Sequence, residues 1–363
     1  MLRVGIFAPY VRNEVALTAV QFADWMVRLG VEVDFLSSQR IESGIHPVWD
    51  HRVARARRGT IYRWAYQATH LCWFTPDQQA LHHARLAAGA GVRRHCRSLS
   101  FPNWGNWSRD WEAFLDQTDR AICLSKAMHQ WVQDRYNLHS CSASSSWVDL
   151  ALADQLLVPK YGLVDETTRR LLVMFPRFAI RDLGAGVVTV FDQLLQEQPE
   201  LQITIVLESS VCRMYRRELH QLQRRYSGRV QVHRGVPYYS LISMARDHDW
   251  VYLASTRHYY GSLLALLASS TVPLICHDIS PVEAHVQQNQ TGNLIPCQLA
   301  GYDYPVADVN LQDVKDVLSR TLHRPHATLK SQQVQASQVL PRKQQSFQRY
   351  LTNEIVDECP ISP

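Results

Sequence analysis

Short apolar runs alternate with helical patterns twice along this chain, and that alternation limits the fold more than any other feature. Val4 to Ala8 is an apolar run ended by Pro9, and a helical pattern follows through Ala16, Ala19, Val20, Ala23, Trp25, Val27 and Leu29. Gly30 stops that helix, and Val31 to Leu36 opens a second strand. Strand, helix and strand at this spacing form a βαβ unit, which builds parallel sheets with helices packed on their faces. Asp119 to Ser125 reads as a further buried strand, with Lys126 to Tyr136 as the helix after it.

A second series begins at Leu171. Strands are expected over Leu171 to Phe175, Leu201 to Leu207, Val230 to His233, Trp250 to Ala254 and Val272 to Cys276. Helices alternate with them over Leu183 to Gln196, Cys212 to Tyr226, Tyr239 to Arg246 and Ser262 to Ser270. The fold class is therefore α/β, with two doubly wound Rossmann-like domains. A length of 363 residues agrees, because one hydrophobic core seldom serves so long a chain. Leu138 to Val164, with SCSASSSW and Pro159, lacks periodicity and holds the junction. Residues 1–155 and 165–335 are the expected domains. Residues 336–363 form a C-terminal helix and tail placed to cross back to the first. The polar stretch from Leu311 to Glu358 reads as terminal helices, the last around Ser346 to Val356.

Composition excludes several classes. No apolar run approaches the roughly 20 residues that span a bilayer. The start MLRVGIFAPY lacks the longer apolar stretch and cleavage site of a secretory signal, so a cytoplasmic protein is expected. Eight cysteines lie far apart with no C-x-x-C pair, which argues against a zinc or redox site and for buried thiols. No Asp-x-Asp metal motif stands out, so no metal is expected. A net charge of +5, nearly all of it arginine, favours an anionic partner.

In a parallel α/β sheet, ligands sit beyond the carboxyl ends of the strands. Ala8 to Glu14 is thus the first loop placed to touch a substrate, and it lacks the G-x-G-x-x-G fingerprint. Between Trp49 and Trp111 basic and aromatic residues interleave. Arg52, Arg55, Arg57, Arg58 and Arg63 lie among Trp49, Tyr62, Trp64 and Tyr66, and FPNWGNWSRDW follows from Phe101. Two readings stand: a surface that contacts phosphates and stacks on rings, or a solvated arginine face over tryptophans of the core.

The C-terminal half resembles the nucleotide-binding domain of the retaining family 4 glycosyltransferases, whose architecture is called GT-B. MFPRFAIRDLGAGVVTVFDQLLQEQPELQITIVLES is similar to the family's strand, arginine-containing loop, helix and strand. HRGVPYYSLISMARDHDWVYLAST resembles its Gly-x-Val/Ile-Pro element, helix and strand. YYGSLLALLASSTVPLICHDISPVEAHVQQNQTGNLIP resembles its Gly-rich loop, helix, strand and "T-G-x-L-V-P" element. The N-terminal half is similar in pattern only.

The resemblance implies two domains facing a central cleft and transfer of a sugar from a nucleoside diphosphate carrier, UDP or GDP, to an acceptor hydroxyl. No permanently bound cofactor is implied. Arg177 and Arg181 stand where the family holds phosphate, and Gly261 and Ser262 open a helix whose N-terminus suits an anion. The implied donor set is Arg177, Arg181, Glu208, Val236, Tyr259, Tyr260, Gly261, Ser262 and Glu283, with Arg177, Arg181 and His258 at the reacting bond. Tyr10, Asn13, Glu14, Arg58 and Trp104 would face the acceptor. The family's two glutamates fall at His258 and Leu266, so the ribose hydroxyls need another partner, for which Glu208 and Glu283 are available. The family's N-terminal histidine falls near Ser100 or Phe101, with His70 and His95 nearby in sequence. The acceptor is a glycan, a small molecule or a nucleic acid bearing a hydroxymethylated base. A non-catalytic binding subunit and a sugar-nucleotide epimerase on the same architecture are the competing readings.

Overall fold

The computed structural model describes residues 2–11, 13–89, 96–102, 109–124, 126–136, 141–143, 167–176, 183–184, 186–208, 215–256, 262–268, 270–279, 286–300 and 306–356. The chain divides into two units: Met1–Ala151 with Lys343–Pro363, and Leu152–Arg342.

The first unit is built on a seven-stranded sheet of β1 (Arg3–Phe7), β2 (Glu32–Ser37), β3 (Ala54–Arg55), β4 (His70–Trp73), β5 (Arg97–Ser100), β6 (Arg120–Cys123) and β7 (Cys141–Ala143). Their order is β3-β2-β1-β4-β5-β6-β7, and every pairing is parallel. The helices are α1 (Glu14–Arg28), α2 (Arg58–Gln67), α3 (Gln78–Gly89), α4 (Arg109–Leu115) and α5 (Lys126–Tyr136). Asn13 starts α1 by accepting a hydrogen bond from the Ala16 N–H at 2.9 Å. Glu14 in its first turn and Arg28 in its last complement the helix dipole. Trp64 of α2 lies so close over β1 that a Cβ on Gly5 would sit 1.9 Å from its Nε1. A glycine in mid-strand is costly by itself; here it admits an indole.

The second sheet contains β8 (Arg169–Phe175), β9 (Leu201–Leu207), β10 (Val230–Arg234), β11 (Trp250–Leu253), β12 (Leu274–His277) and β13 (Gly292–Ile295), in the order β10-β9-β8-β11-β12-β13. All of its pairs are parallel. Its helices are α6 (Gly186–Glu197), α7 (Arg216–Arg225), α8 (Tyr238–Arg246), α9 (Ser262–Ala268), α10 (Leu311–Leu322) and α11 (His326–Leu351). Val187, Phe191 and Leu194 of α6 join Leu171, Val173, Ile203 and Ile205 of the sheet in one core. A short antiparallel hairpin, β14 (Gln298–Ala300) with β15 (Val306–Asp308), precedes α10.

Both sheets have the 3-2-1-4-5-6 winding of the dinucleotide-binding fold, so the two expected Rossmann-like cores are present. Several elements differ from the sequence expectation. β4, α3 and β5 were not marked by any periodicity, since HLCW and RSLS are only four residues each and carry polar side chains. The last helix starts at His326, not near Ser346, and runs through Pro341, because its glutamine-rich sequence carries little apolar periodicity to mark it. Among the described residues no helix is long and apolar enough to cross a membrane, and Cys72, Cys96, Cys123, Cys276 and Cys297 are free thiols.

Candidate functional site

In each sheet the winding reverses between the two central strands, β1 and β4 in the first unit and β8 and β11 in the second. The crevice beyond the carboxyl ends of those strands is where this fold binds ligands. In the second unit the pair ends at Phe175 and Leu253, and Ala254 donates its N–H to the Met174 carbonyl at 3.0 Å, carrying the pairing outward. Residues 177–182 continue from one strand end and 257–261 from the other. Arg177, Arg181, His258, Tyr259, Tyr260 and Gly261 thus follow in sequence from the two strand ends that flank the reversal, and they lie outside the described residues, as do Glu283 and Trp104. Ser262 is the first residue of α9.

One strand away, Glu208 follows β9 and donates its N–H to the Phe175 carbonyl at 3.3 Å. Its side chain is buried and accepts a hydrogen bond from the Tyr238 hydroxyl. The local sequence arranges this contact. Gly235 donates to the Leu207 carbonyl at 3.1 Å and then takes a φ of 60°, a left-handed backbone that suits glycine. That turn ends β10, and Val236, half-buried, and Pro237 lead into α8 with Tyr238 as its first residue.

A second buried polar group lies on the other side of the reversal and was missed by the sequence reading. His277 ends β12; its Nδ1–H donates to the Ser255 carbonyl at 2.6 Å, so its Nε2 accepts from the Tyr252 hydroxyl at 3.1 Å. Burial pushes the imidazole down to about 4, and the bond to Ser255 offsets this only in part. A neutral His277 therefore fixes the strand end from which the 257–261 segment continues. The signal available in sequence was a histidine closing the apolar run PLIC at the ligand end of a strand.

Leu266, where the resemblance leads one to expect a glutamate, is fully buried in α9. It contributes to the core and offers no hydrogen bond.

In the first unit the loop after β1 is tied down from within. Tyr10 is fully buried, its N–H donates to Ser37 Oγ at 2.9 Å, and its hydroxyl donates to Asp50 Oδ1 at 2.7 Å. Asp50 also accepts from the N–H groups of Gly44, Ile45 and His46. Burial favours the protonated form of Asp50, but these four donors outweigh it and hold the carboxyl below its usual range. Tyr10 is thus a post that holds the neighbouring loop. Asn13 caps α1, Glu14 lies in its first turn, and Arg58 is exposed with its guanidinium 6.0 Å from the Tyr62 ring.

The stretch of mixed arginines and aromatics separates cleanly. Arg52, Arg55, Arg57, Arg58 and Arg63 are exposed, whereas Trp49, Trp64, Trp73 and Trp111 are buried. These tryptophans do not offer a surface that stacks on substrate: Trp64, Trp73 and Trp111 fill the core around Phe7 and Phe114, and Trp49 packs against Phe35, while the arginines stay exposed. Phe101, near the position of the family's histidine, is buried and stacks on Phe74 at 4.3 Å. His70 is buried in β4 with Nδ1 3.3 Å from Thr69 Oγ1, and His95 lies outside the described residues. Among the described residues no group of three or more His, Cys, Asp or Glu could hold a metal.

No protein-family model and no curated protein matches the chain. Solved structures match it over nearly its whole length. A glycosyltransferase from Rickettsia africae superposes with a TM-score of 0.68 at 11% identity, covering 99% of each chain. HepE from Anabaena, crystallised with UDP and glucose, gives 0.68 at 11% identity over 98% of this chain and 100% of that one. An alpha-glucosyltransferase in complex with UDP and a 13-mer DNA containing an HMU base gives 0.63 at 10% identity over 98% and 99%. At such identities the likeness is one of fold, and the chain has the paired Rossmann-like architecture of the GT-B glycosyltransferases.

Proposed function

We propose that the chain is a glycosyltransferase that moves a sugar from a nucleoside diphosphate sugar to an acceptor hydroxyl. The observation that carries this reading is the winding of the second sheet. It puts the carboxyl ends of β8 and β11 beside the ligand crevice, and in sequence the first leads to Arg177 and Arg181 and the second to His258 to Gly261. In the transfer, the bond between the anomeric carbon and the diphosphate oxygen breaks with its electron pair going to the diphosphate. The acceptor oxygen bonds to that carbon, and its proton passes to the departing diphosphate. Charge thus grows on the diphosphate, and fixed guanidinium groups there stabilise the transition state more than the ground state. Arg177 and Arg181 take this role with His258, so that protein charge does what a metal does elsewhere.

Glu208 takes the ribose hydroxyls in place of the glutamate that Leu266 replaces, and Val236, Tyr259, Tyr260, Gly261, Ser262 and Glu283 line the rest of the donor site. A UDP-sugar is the favoured donor, since neighbours of the same fold were crystallised with UDP. Retention of anomeric configuration follows from the family 4 resemblance. The acceptor meets the first unit at Asn13, Glu14, Arg58 and Trp104, with Tyr10 supporting the loop. Residues 1–155 and 165–335 are read as the acceptor and donor domains, and 336–363 as the tail returning to the first.

The buried Leu266 also favours a second reading, a binding subunit without turnover. Incubation with radiolabelled UDP-glucose and other UDP- and GDP-sugars, with UDP or GDP release as the readout, separates the two. Release that requires Arg177 supports the transferase. Tight nucleotide binding without release supports the binding subunit.

A further inference from the structure

The first unit carries a dense run of positive charge in the segment that surrounds the carboxyl ends of β2 and β3. Between Arg40 and Arg63 there are six arginines against two carboxylates, Glu42 and Asp50, in a chain whose net charge is only +5. The register shows where they lie. Arg55 of β3 pairs with Ser37, the carboxyl end of β2, and Ala56 donates its N–H to the Ser37 carbonyl at 2.8 Å. Arg57 and Arg58 follow, starting α2, and Arg40 leaves β2 three residues past the same end. Arg40, Arg52, Arg55, Arg57 and Arg58 are all exposed.

This edge adjoins the loop after β1. Tyr10 binds Ser37 through its N–H, and its carbonyl accepts from Glu42 N–H at 2.9 Å. Asp50, whose charge could otherwise neutralise the group, is turned inward onto Tyr10 and three backbone N–H groups. Among the described residues no carboxylate pairs with the five arginines.

We infer that this edge binds the sugar-phosphate backbone of a duplex nucleic acid, which carries the acceptor; this rests on the transferase reading above. Guanidinium groups grip phosphate oxygens in a bidentate fork, and phosphate contacts set register without reading sequence. A single strand would need aromatic faces on which bases stack. Among the described residues of this edge Trp49 and Trp64 are buried, Tyr62 is half-buried against the core, and the exposed Tyr66 sits at the far end of α2. Exposed charge with no exposed ring beside it among the described residues of this edge matches a duplex, whose phosphates are outside and whose bases are already stacked.

The test is fluorescence anisotropy of a labelled DNA duplex of roughly 30 base pairs at several salt concentrations, with the full chain and no donor. Five phosphate contacts predict a log-log slope near −4.5, a loss of affinity of about 500-fold between about 50 and 200 mM salt. The variant R52E/R55E/R57E, checked for unchanged melting temperature, is expected to bind at least tenfold more weakly, with a slope shallower by roughly 2.7. Absence of binding at low salt, unchanged binding by the variant, or tighter binding to heparin or to the matching single strand than to the duplex overturns the inference. UDP binding measured on the same sample separates its failure from failure of the transferase reading, which stands if UDP still binds.

Discussion

Tyr238, the first residue of α8, donates a hydrogen bond to Glu208, which follows β9 thirty residues earlier in the chain. The contact joins two neighbouring strand ends on the ligand side of the second sheet and sets a carboxylate at a fixed height beside the β8/β11 reversal. A buried carboxylate needs such donors, since burial without them costs several kcal/mol.

The pair gives a first prediction. Tyr238→Phe leaves Glu208 short of a donor and is expected to cost about 2 kcal/mol of unfolding free energy, measured by urea denaturation. Glu208→Gln keeps the shape but accepts more weakly, and UDP affinity by calorimetry is expected to fall about tenfold, or about 1.4 kcal/mol. Unchanged UDP affinity in Glu208→Gln would remove Glu208 from the ribose site.

His277 gives a pH dependence. Burial holds its folded pKa near 4, against about 6.5 in the unfolded chain. Between those values the unfolded chain binds a proton that the folded chain refuses. Stability is therefore full above about pH 6.5 and falls as the pH drops towards 4, by about 3 kcal/mol from this group. Urea midpoints at pH 7.5 and pH 5 should differ clearly in the wild type. They should differ less in His277→Asn, which keeps a donor for the Ser255 carbonyl but does not titrate. Equal pH sensitivity in the two proteins would contradict the assignment.

Gly5→Ala tests the packing of α2 on β1. The added methyl would meet Trp64 Nε1 at 1.9 Å, so the indole or the helix must shift. Overpacking of this kind costs about 1–3 kcal/mol, which thermal unfolding would register as a lower Tm. A second change, Trp64→Leu, makes room and should recover part of the loss.

The fold was legible because strands buried on both faces are written as continuous apolar runs. LQITIVL and RRLLVMF declare themselves, and Lys126–Tyr136 occupies the bounds expected from its pattern. RSLS and the two-residue Ala54–Arg55 strand do not, because tertiary pairing and not local sequence makes them strands. Among the site residues the arginines were legible as charge, but burial of Trp49 and Trp64 was not. An indole beside arginines reads the same whether it faces solvent or core. Tyr10 misled for a related reason: a tyrosine in a ligand-side loop carries no mark that its hydroxyl is committed to Asp50, forty residues on. His277 was overlooked because a histidine closing an apolar strand shows its importance only when Ser255 and Tyr252 are seen around it.

Calorimetric titration of UDP and GDP into the wild-type chain and Arg177→Ala tests the donor site itself. Saturable one-to-one binding of one of these diphosphates is expected, weakened at least tenfold in Arg177→Ala with the melting temperature of the unliganded protein unchanged. Absence of binding by either nucleotide, or equal affinity in the two proteins, would contradict it.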